Sequence, residues 1–436
     1  MNNLNVLWLD NNQITEIPTN LPLKLQDLNI SHNKLTKLDN LNQLTDLRYL
    51  DLDTNDITII ESLESLTKLM YLDLSYNRIT IIAGLSKLSI LKYLDLSSNE
   101  ILKIEGLENC PELMAIFLSK NKIKKISGLE NQSILQELKL DYNNLEKISG
   151  LDSLSELTRL DLDYNKIKSI EGLKPLDNIQ ELELESNEIK SLDILLSFTG
   201  MLGLTRLDAG NNLIEKIPEL SKMQFLQSIN VENNKIKKIE GISGLRILQK
   251  LNLSNNLIEK IENLNKLPGL NTLDISGNKI RKIEGLNNNK LKFLDLSKNQ
   301  IKEIRGLSNL ENLIDLRLDN NLISRIKNLK KLLFLLDLRL QNNKIKSMKG
   351  LKGLRDIQYI SLNMNSIKTV NGLDTQRRIQ SLLLKNNKIY SVSNLHKKIP
   401  LSTIKTVDLR ENPLNKLSIA KISDWKDDYN SLTIMI

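Results

Sequence analysis

Residues 91–110 read LKYLDLSSNEILKIEGLENC, and the rest of the chain is this stretch repeated. Leu91, Leu94, Leu96, Asn99, Ile101, Ile104, Gly106 and Leu107 set a pattern of apolar residues around one Asn and one Gly. The Asn recurs at nineteen places from Asn12 to Asn412 without substitution. Fourteen of the eighteen spacings are 22 residues, two are 21 and two are 25, so the chain is an array of one structural unit.

Each slot of the unit has a physical reason. Leu94 and Leu96 lie two apart, so on a strand they point to one side while Tyr93, Asp95 and Ser97 point to the other. The first side makes an interior and the second a solvent-facing sheet. An amide buried at the Asn slot needs backbone partners, which predicts a ladder of Asn side chains bonding turn to turn. Ten of the seventeen glycines, Gly84, Gly106, Gly172 and Gly350 among them, stand just before the apolar residue that closes the motif, a leucine in nine rungs and Ile242 in the other. Asn40, Asn263, Asn328 and Asn394 take that place in four other rungs. Gly and Asn tolerate a left-handed backbone, so the slot is expected to be a corner with φ > 0.

The unit is that of a leucine-rich repeat. The expected fold is an α/β solenoid, a right-handed superhelix or horseshoe with a concave parallel β-sheet and short 3-10 or irregular convex segments. A length of 436 residues ordinarily suggests two or three domains, but an unbroken period overrides that prior. Residues 1–412 are read as one solenoid of about nineteen repeats. Its seam falls near 194–204, where ILLSFTGMLGL takes in three extra residues as a bulged loop. Residues 413–436 are read as a C-terminal capping segment: Pro413 breaks the pattern, and Ile419, Ile422 and Trp425 fall at helical spacing. Ser418 is the expected N-cap, and Leu432, Ile434 and Ile436 an extended segment after the helix. The chain starts inside a strand, with Leu4, Leu7 and Leu9 already in rung positions and no capping segment visible before them.

Composition narrows the function. One cysteine, Cys110, fills a slot held by Leu88 and Leu154 elsewhere and is read as core. The two histidines, His32 and His396, are far apart in the repeat order, and no phosphate-binding glycine loop or paired catalytic carboxylates stand off the repeat. No enzyme activity, cofactor or metal site is expected. No apolar run is long enough to span a bilayer, and MNNLNVLWLD has no basic head or apolar core of a signal peptide. The expected location is cytoplasmic or nuclear.

Function is expected on the sheet. Tyr49, Tyr71 and Tyr93 recur beside Asp51, Asp73 and Asp95, and Phe117 follows on the next rung. Aromatic residues flanked by acids have the composition of a protein-binding hot spot. The middle-of-strand column is acidic through Asp161, Glu183 and Asp208, and its sign changes at Arg317. The bland counterpart is that the L-D-L-S wording suits the repeat and that tyrosine suits strands. The net charge of +8 sits elsewhere, in lysines such as Lys103, Lys125, Lys238 and Lys260 before the inward Ile. Glu105, Glu240 and Glu262 dilute that flank and no aromatics interleave with it, so nucleic acid is not the expected partner.

Corners such as KIEGL (103–107, 238–242), KISGL (125–129, 147–151) and KIENL (260–264), with the closing RENPL (410–414), carry a family resemblance. Over about residues 30–412 the chain resembles the leucine-rich repeat regulatory subunit of type 1 protein phosphatase. The unit is also similar to that of the dynein leucine-rich light chain and of bacterial internalins. The first resemblance implies a regulatory or adaptor subunit that binds a Ser/Thr phosphatase catalytic subunit. Acidic and aromatic residues in the middle of the strands make that contact in the family, and Phe117, Asp161, Glu183 and Asp208 occupy the slot here. The alternatives are a cytoskeletal adaptor, an internalin-like binding protein, or an RNA-associated protein using the basic flank.

Overall fold

Alternation of apolar and polar residues over so few positions allows only a short strand, and every strand is three residues long. The computed structural model describes residues 4–197, 201–373, 375–392, 395, 403–429 and 431–436. It divides into two compact units, Met1–Ile214 and Glu215–Ile436. Unit 1 carries β1 (Val6–Trp8), β2 (Asp27–Asn29), β3 (Tyr49–Asp51), β4 (Tyr71–Asp73), β5 (Tyr93–Asp95), β6 (Ala115–Phe117), β7 (Glu137–Lys139), β8 (Arg159–Asp161), β9 (Glu181–Glu183) and β10 (Arg206–Asp208). Unit 2 carries β11 (Ser228–Asn230), β12 (Lys250–Asn252), β13 (Thr272–Asp274), β14 (Phe293–Asp295), β15 (Asp315–Arg317), β16 (Asp337–Arg339), β17 (Tyr359–Ser361), β18 (Ser381–Leu383), β19 (Thr406–Asp408) and β20 (Thr433–Met435).

Within each unit neighbouring strands pair in parallel and in register, so a repeat position becomes a column: Tyr49 faces Tyr71, Leu50 faces Leu72 and Asp51 faces Asp73. The architecture is a parallel stacked-strand solenoid. Central leucines such as Leu50, Leu72 and Leu94 are fully buried, and the residues on either side of them face outward, half-buried. On the far side of the rung the chain returns through tight turns, Leu88 N–H donating to Leu85 C=O at 2.9 Å and Leu91 N–H to Leu88 C=O at 3.1 Å. No described helix is long and apolar enough to cross a membrane.

The Asn ladder takes the form expected. Asn99 Nδ2 donates to the carbonyls of Leu96 and Ser97 in its own rung and to Leu74 one rung earlier, at 2.9–3.2 Å. Its Oδ1 accepts from Ile79 N–H of the earlier rung at 2.9 Å. One side chain therefore closes the strand-end turn and staples two rungs together; only a side-chain amide offers both the donors and the acceptor, and Asn is the shorter of the two that carry one.

The corner slot is partly different from expectation. Gly84, Gly106 and six further glycines there have φ between +69° and +78°, and Asn40, Asn263 and Asn328 are left-handed too. Gly172 and Gly350 are not; they lie inside 3-10 turns, Glu171–Leu173 and Lys349–Leu351. Space explains their glycine, because a Cβ there would meet the carbonyl oxygen of Ile148 or Ile326 in the rung before. Asn394 and His396 lie outside the described residues.

At the seam the chain forms 3-10 turns at Asp193–Ser197 and Met201–Gly203, with 198–200 of the expected bulged loop outside the described residues. One other expectation changes. The capping helix α1 (Lys416–Asp428) starts two residues before Ser418, and its N-cap is Asn415, whose Oδ1 accepts from Ser418 N–H at 2.8 Å. Ser418 is buried instead, its Oγ accepting from Val392 N–H at 3.1 Å. Ile422 and Trp425 pack inward, whereas Ile419 is exposed. β20 then pairs with β19, burying Ile434 and leaving Ile436 outside.

Candidate partner-binding face

Because the columns are in register, the three tyrosines at the first position of β3, β4 and β5 are brought face to face. Tyr49 and Tyr71 stack with centroids 4.2 Å apart at 12°, and Tyr71 and Tyr93 at 4.3 Å and 9°. Phe117 stands in the neighbouring column, yet its ring leans back to meet Tyr93 edge to face at 5.0 Å and 89°. Lys139 places its ammonium 4.8 Å from the Phe117 ring centroid. Four half-exposed rings on consecutive rungs make one continuous strip.

Beside the strip, Asp51, Asp73 and Asp95 have a task in the fold. The Oδ1 of each accepts the backbone N–H two residues on, Asp53, Ser75 and Ser97, at 2.8–3.0 Å. Asn29 and Asn252 do the same in other rungs, so the slot needs the acceptor oxygen and not the charge. The second oxygen of Asp51 accepts from Asn29 Nδ2 at 3.0 Å, and Tyr71 Oη lies 3.4 Å from that of Asp73. Burial pushes the Asp73 carboxyl up to about 6 and raises Asp95 and Asp51 as well. Burial, with the adjacent carboxylates second, raises the Tyr71 and Tyr93 hydroxyls above their ordinary value, so the strip is neutral phenol.

The acidic column continues at β8 to β10. Carboxylates of Asp161, Asp163 and Glu183 lie within 4.8 Å of one another. This is the one grouping among the described residues close enough to share a cation. Burial first, and Asp161 second, push the Asp163 carboxyl up to about 8, so Asp163 keeps its proton at neutral pH and the repulsion is relieved. Arg206 comes within 3.5 Å of Glu183 and 3.7 Å of Asp208. Asp208 is buried, with Gly210 N–H donating to it at 3.1 Å, and so contributes field more than contact surface.

The structure thus gathers Tyr49, Tyr71, Tyr93, Phe117, Asp51, Asp73 and Asp95 on one face of unit 1, with Asp161 and Glu183 further along it. Counting the first and third strand positions and the residue two beyond, β2 to β10 present thirteen carboxylates and three bases, a net −10. The sign change at Arg317 is muted in unit 2. Arg317 pairs with Asp315 at 3.1 Å and lies over Phe293, and Arg339 pairs with Asp337 at 2.9 Å and lies over Tyr359.

Two features escaped the reading of the sequence. Tyr76, Tyr142 and Tyr164, each directly before a ladder Asn, have φ of 51–53°. The exposed pair Tyr142 and Tyr164 stacks at 4.1 Å and 7°. The available signal was the position itself, filled by Asn or Gly in rungs such as Asn211, Asn233 and Gly277. The second is charge by unit. Unit 1 has 21 Lys and Arg against 32 Asp and Glu, a net −11; unit 2 has 40 against 21, a net +19. The chain total of +8 hides this division.

Comparison with known proteins agrees with the repeat. Profiles described as "Leucine Rich repeats (2 copies)" match residues 135–175, 203–244 and 248–288, and single leucine-rich repeat profiles match 60–101 and 287–302. The chain is a leucine-rich repeat protein with a unit of about 22 residues. No curated sequence matches it. Among solved structures it is similar to a leucine-rich repeat protein of Leptospira interrogans, with a TM-score of 0.70 and 23% identity over 97% of this chain and 100% of that one. An internalin of Listeria monocytogenes gives a TM-score of 0.55 at 26% identity, covering 76% of this chain and 85% of that one. Toll of Drosophila, in its complex with Spätzle, gives 0.67 at 20% identity over 90% of this chain, which spans only 54% of Toll.

Proposed function

We propose that the chain is a non-enzymatic scaffold that holds a protein partner on the sheet face of unit 1, as a regulatory or adaptor subunit. The stacked strip of Tyr49, Tyr71, Tyr93 and Phe117 carries the reading. Stacking fixes the rings in place before any partner arrives, so little side-chain entropy is lost when they are covered. The formal net −10 along the face from β2 to β10 favours a partner whose contact surface is basic and speeds its approach. Toll, similar in fold, is named in complex with a protein ligand, which supports a protein partner here.

Within this class our favoured partner is a Ser/Thr phosphatase catalytic subunit, on the footing of Phe117, Asp161 and Glu183 in the slot that the resembled family uses. The reading places the chain in the cytoplasm or nucleus. The second reading is an internalin-like binding protein, favoured by the likeness to the Listeria protein over 85% of its length.

The test compares the parent with Tyr71→Ala/Tyr93→Ala for binding to purified type 1 phosphatase catalytic subunit. Removing two central aromatic anchors should weaken binding at least about tenfold, since one such anchor is worth about 2 kcal/mol or more. Lys124→Ala/Lys168→Ala, off the sheet face, should stay within about twofold. A folded tyrosine variant that binds like the parent removes the strip from the site. A parent that does not bind the phosphatase retires that partner, and the same variants then go to candidate receptors of the internalin kind.

A further inference from the structure

The division of charge points to a second surface, on unit 2 and of a different class from the first. Consider the positions one, three, four and six residues after the ladder Asn, where the chain leaves the strand for the far side of the rung. On the rungs from Asn234 to Asn387 these positions hold sixteen Lys and Arg against five Glu, a net +11. On the rungs from Asn12 to Asn187 the same positions hold eleven against ten, a net +1. The fold is the same in both units, so it does not require the excess.

Register turns the sequence spacing into rows. Lys237, Arg281, Lys302, Lys346 and Lys368 fall in one, all exposed, with Glu259 and Ser324 between them, and Lys238, Lys260, Lys282 and Arg325 fall in another beside it, interrupted by Glu303. Among the described residues the one ion pair on this flank joins Arg305 to Glu303. Glutamates dilute the near end, but from Arg305 onward the slot six residues past the Asn turns basic as well, with Lys327 and Lys349. Two recesses open along the flank. One of about 450 Å³ is lined by Lys237, Lys238, Lys260 and Lys279 with Glu259, Glu262 and Leu257 between them, the other of about 310 Å³ by Arg281, Lys282, Lys302 and Arg305 with Glu303.

We infer that this flank of unit 2 binds the phosphate backbone of a nucleic-acid duplex. Three observations choose this polyanion. Eight rungs at a strand spacing of about 4.8 Å make a row roughly 34 Å long, about one helical turn of a duplex. A linear array matches a linear polyanion, and duplex phosphates offer about one charge per 1.7 Å of axis to rows of basic groups. Among the described residues the flank's aliphatic side chains are only the half-buried Leu257 and Leu322, too few to insert into a bilayer, and its one exposed aromatic, Tyr390, provides no series of stacking surfaces for a single strand. Binding through the backbone reads no sequence, and it releases counterions for every phosphate met.

Fluorescence anisotropy of the full chain with labelled duplexes of about 20 base pairs, one of RNA and one of DNA, at about 50 and 200 mM salt, tests this. The expected result is binding of at least one duplex at low salt that weakens at least about tenfold at the higher salt. The RNA and DNA arms show which backbone geometry the rows fit. Lys237→Glu/Lys238→Glu/Lys260→Glu/Lys282→Glu should weaken it by a further tenfold or more, with the circular dichroism unchanged. The matched reversal in unit 1, Lys122→Glu/Lys124→Glu/Lys166→Glu/Lys168→Glu, should stay within about twofold. The inference is overturned if neither duplex binds at low salt, or if a single strand of equal length binds more tightly than both. Binding to vesicles rich in anionic lipid without binding to duplex overturns it too, as does an unchanged affinity in the unit 2 reversal.

Discussion

At the scale of single residues, the account rests on side chains that serve two rungs at once. Asn165 donates to the carbonyls of Leu162, Asp163 and Leu140 and accepts from Leu145 N–H. Asn165→Ala orphans those groups inside the solenoid and should cost about 1–3 kcal/mol. Because coupling runs between nearest neighbours, hydrogen exchange should quicken in the rungs of Asn143 to Asn187. Uniform quickening through unit 1 would refute the one-dimensional picture. The ladder was legible in the sequence because every rung repeats it and because a short side-chain amide offers both donors and an acceptor there. Cys110 was legible only as core. Its slot lies under a carbonyl of the previous rung, so Cys110 Sγ reaches Leu85 C=O and Gln132 Nε2 donates to Leu107 C=O at 2.8 Å. Burial pushes the Cys110 thiol up to about 11, in keeping with an inert core residue. The N-cap at Asn415 was missed because Ser418 and Asn415 both have capping side chains, and spacing cannot rank them.

The element to consider next is the corner. A Cβ at Gly84 would lie 2.5 Å from the Ile60 carbonyl oxygen, with φ at +71°. Gly84→Ala should therefore cost about 1–3 kcal/mol, backbone strain and overpacking together. Gly84→Asn should recover part of this, since Asn40 and Asn328 adopt the same corner and donate to the corresponding carbonyls, those of Ile17 and Ile304, at 2.9 and 2.7 Å. Chemical denaturation of the two variants checks the order, and equal losses would show that the amide bond contributes nothing. The strand ends carry the pH dependence. Asp163 is raised to about 8 in the folded chain, so its contribution to stability is full below about 4 and is lost as pH rises through 8. Asp163→Asn keeps the acceptor for Glu185 N–H, as Asn363 does for Lys385 N–H in its own rung. The variant should be more stable than the parent by a margin that grows from pH 5 to pH 8, read from thermal melts. For the face the sign is opposite. Asp73 and Asp161, raised to about 6, gain charge over the same range, so a basic partner should bind more tightly at pH 8 than at pH 5. The strip's columns were legible because register follows from the period. The depth at which its acids sit was not, since half-burial depends on how the side chains of adjacent rungs pack over them.

For the whole molecule the question is why one repeat is used for two opposite surfaces. The interior slots are the same in both units, so stability places few demands on the outward positions, and these differ in sign by unit. Unit 1 directs its acids and stacked rings from the sheet, and unit 2 directs its lysines from the flank. Such a division was present in the sequence but averaged away in a net charge of +8. The central claim is that unit 1's strip is where a protein partner sits. Hydroxyl-radical footprinting of the full chain, free and in complex with its partner, tests it with an internal reference. Tyr142 and Tyr164 are stacked and exposed as well, but lie beyond the strand ends. The account predicts that modification of Tyr71, Tyr93 and Phe117 falls several-fold in the complex while that of Tyr142 and Tyr164 holds. Protection of Tyr142 and Tyr164 with Tyr71 and Tyr93 unchanged would contradict it.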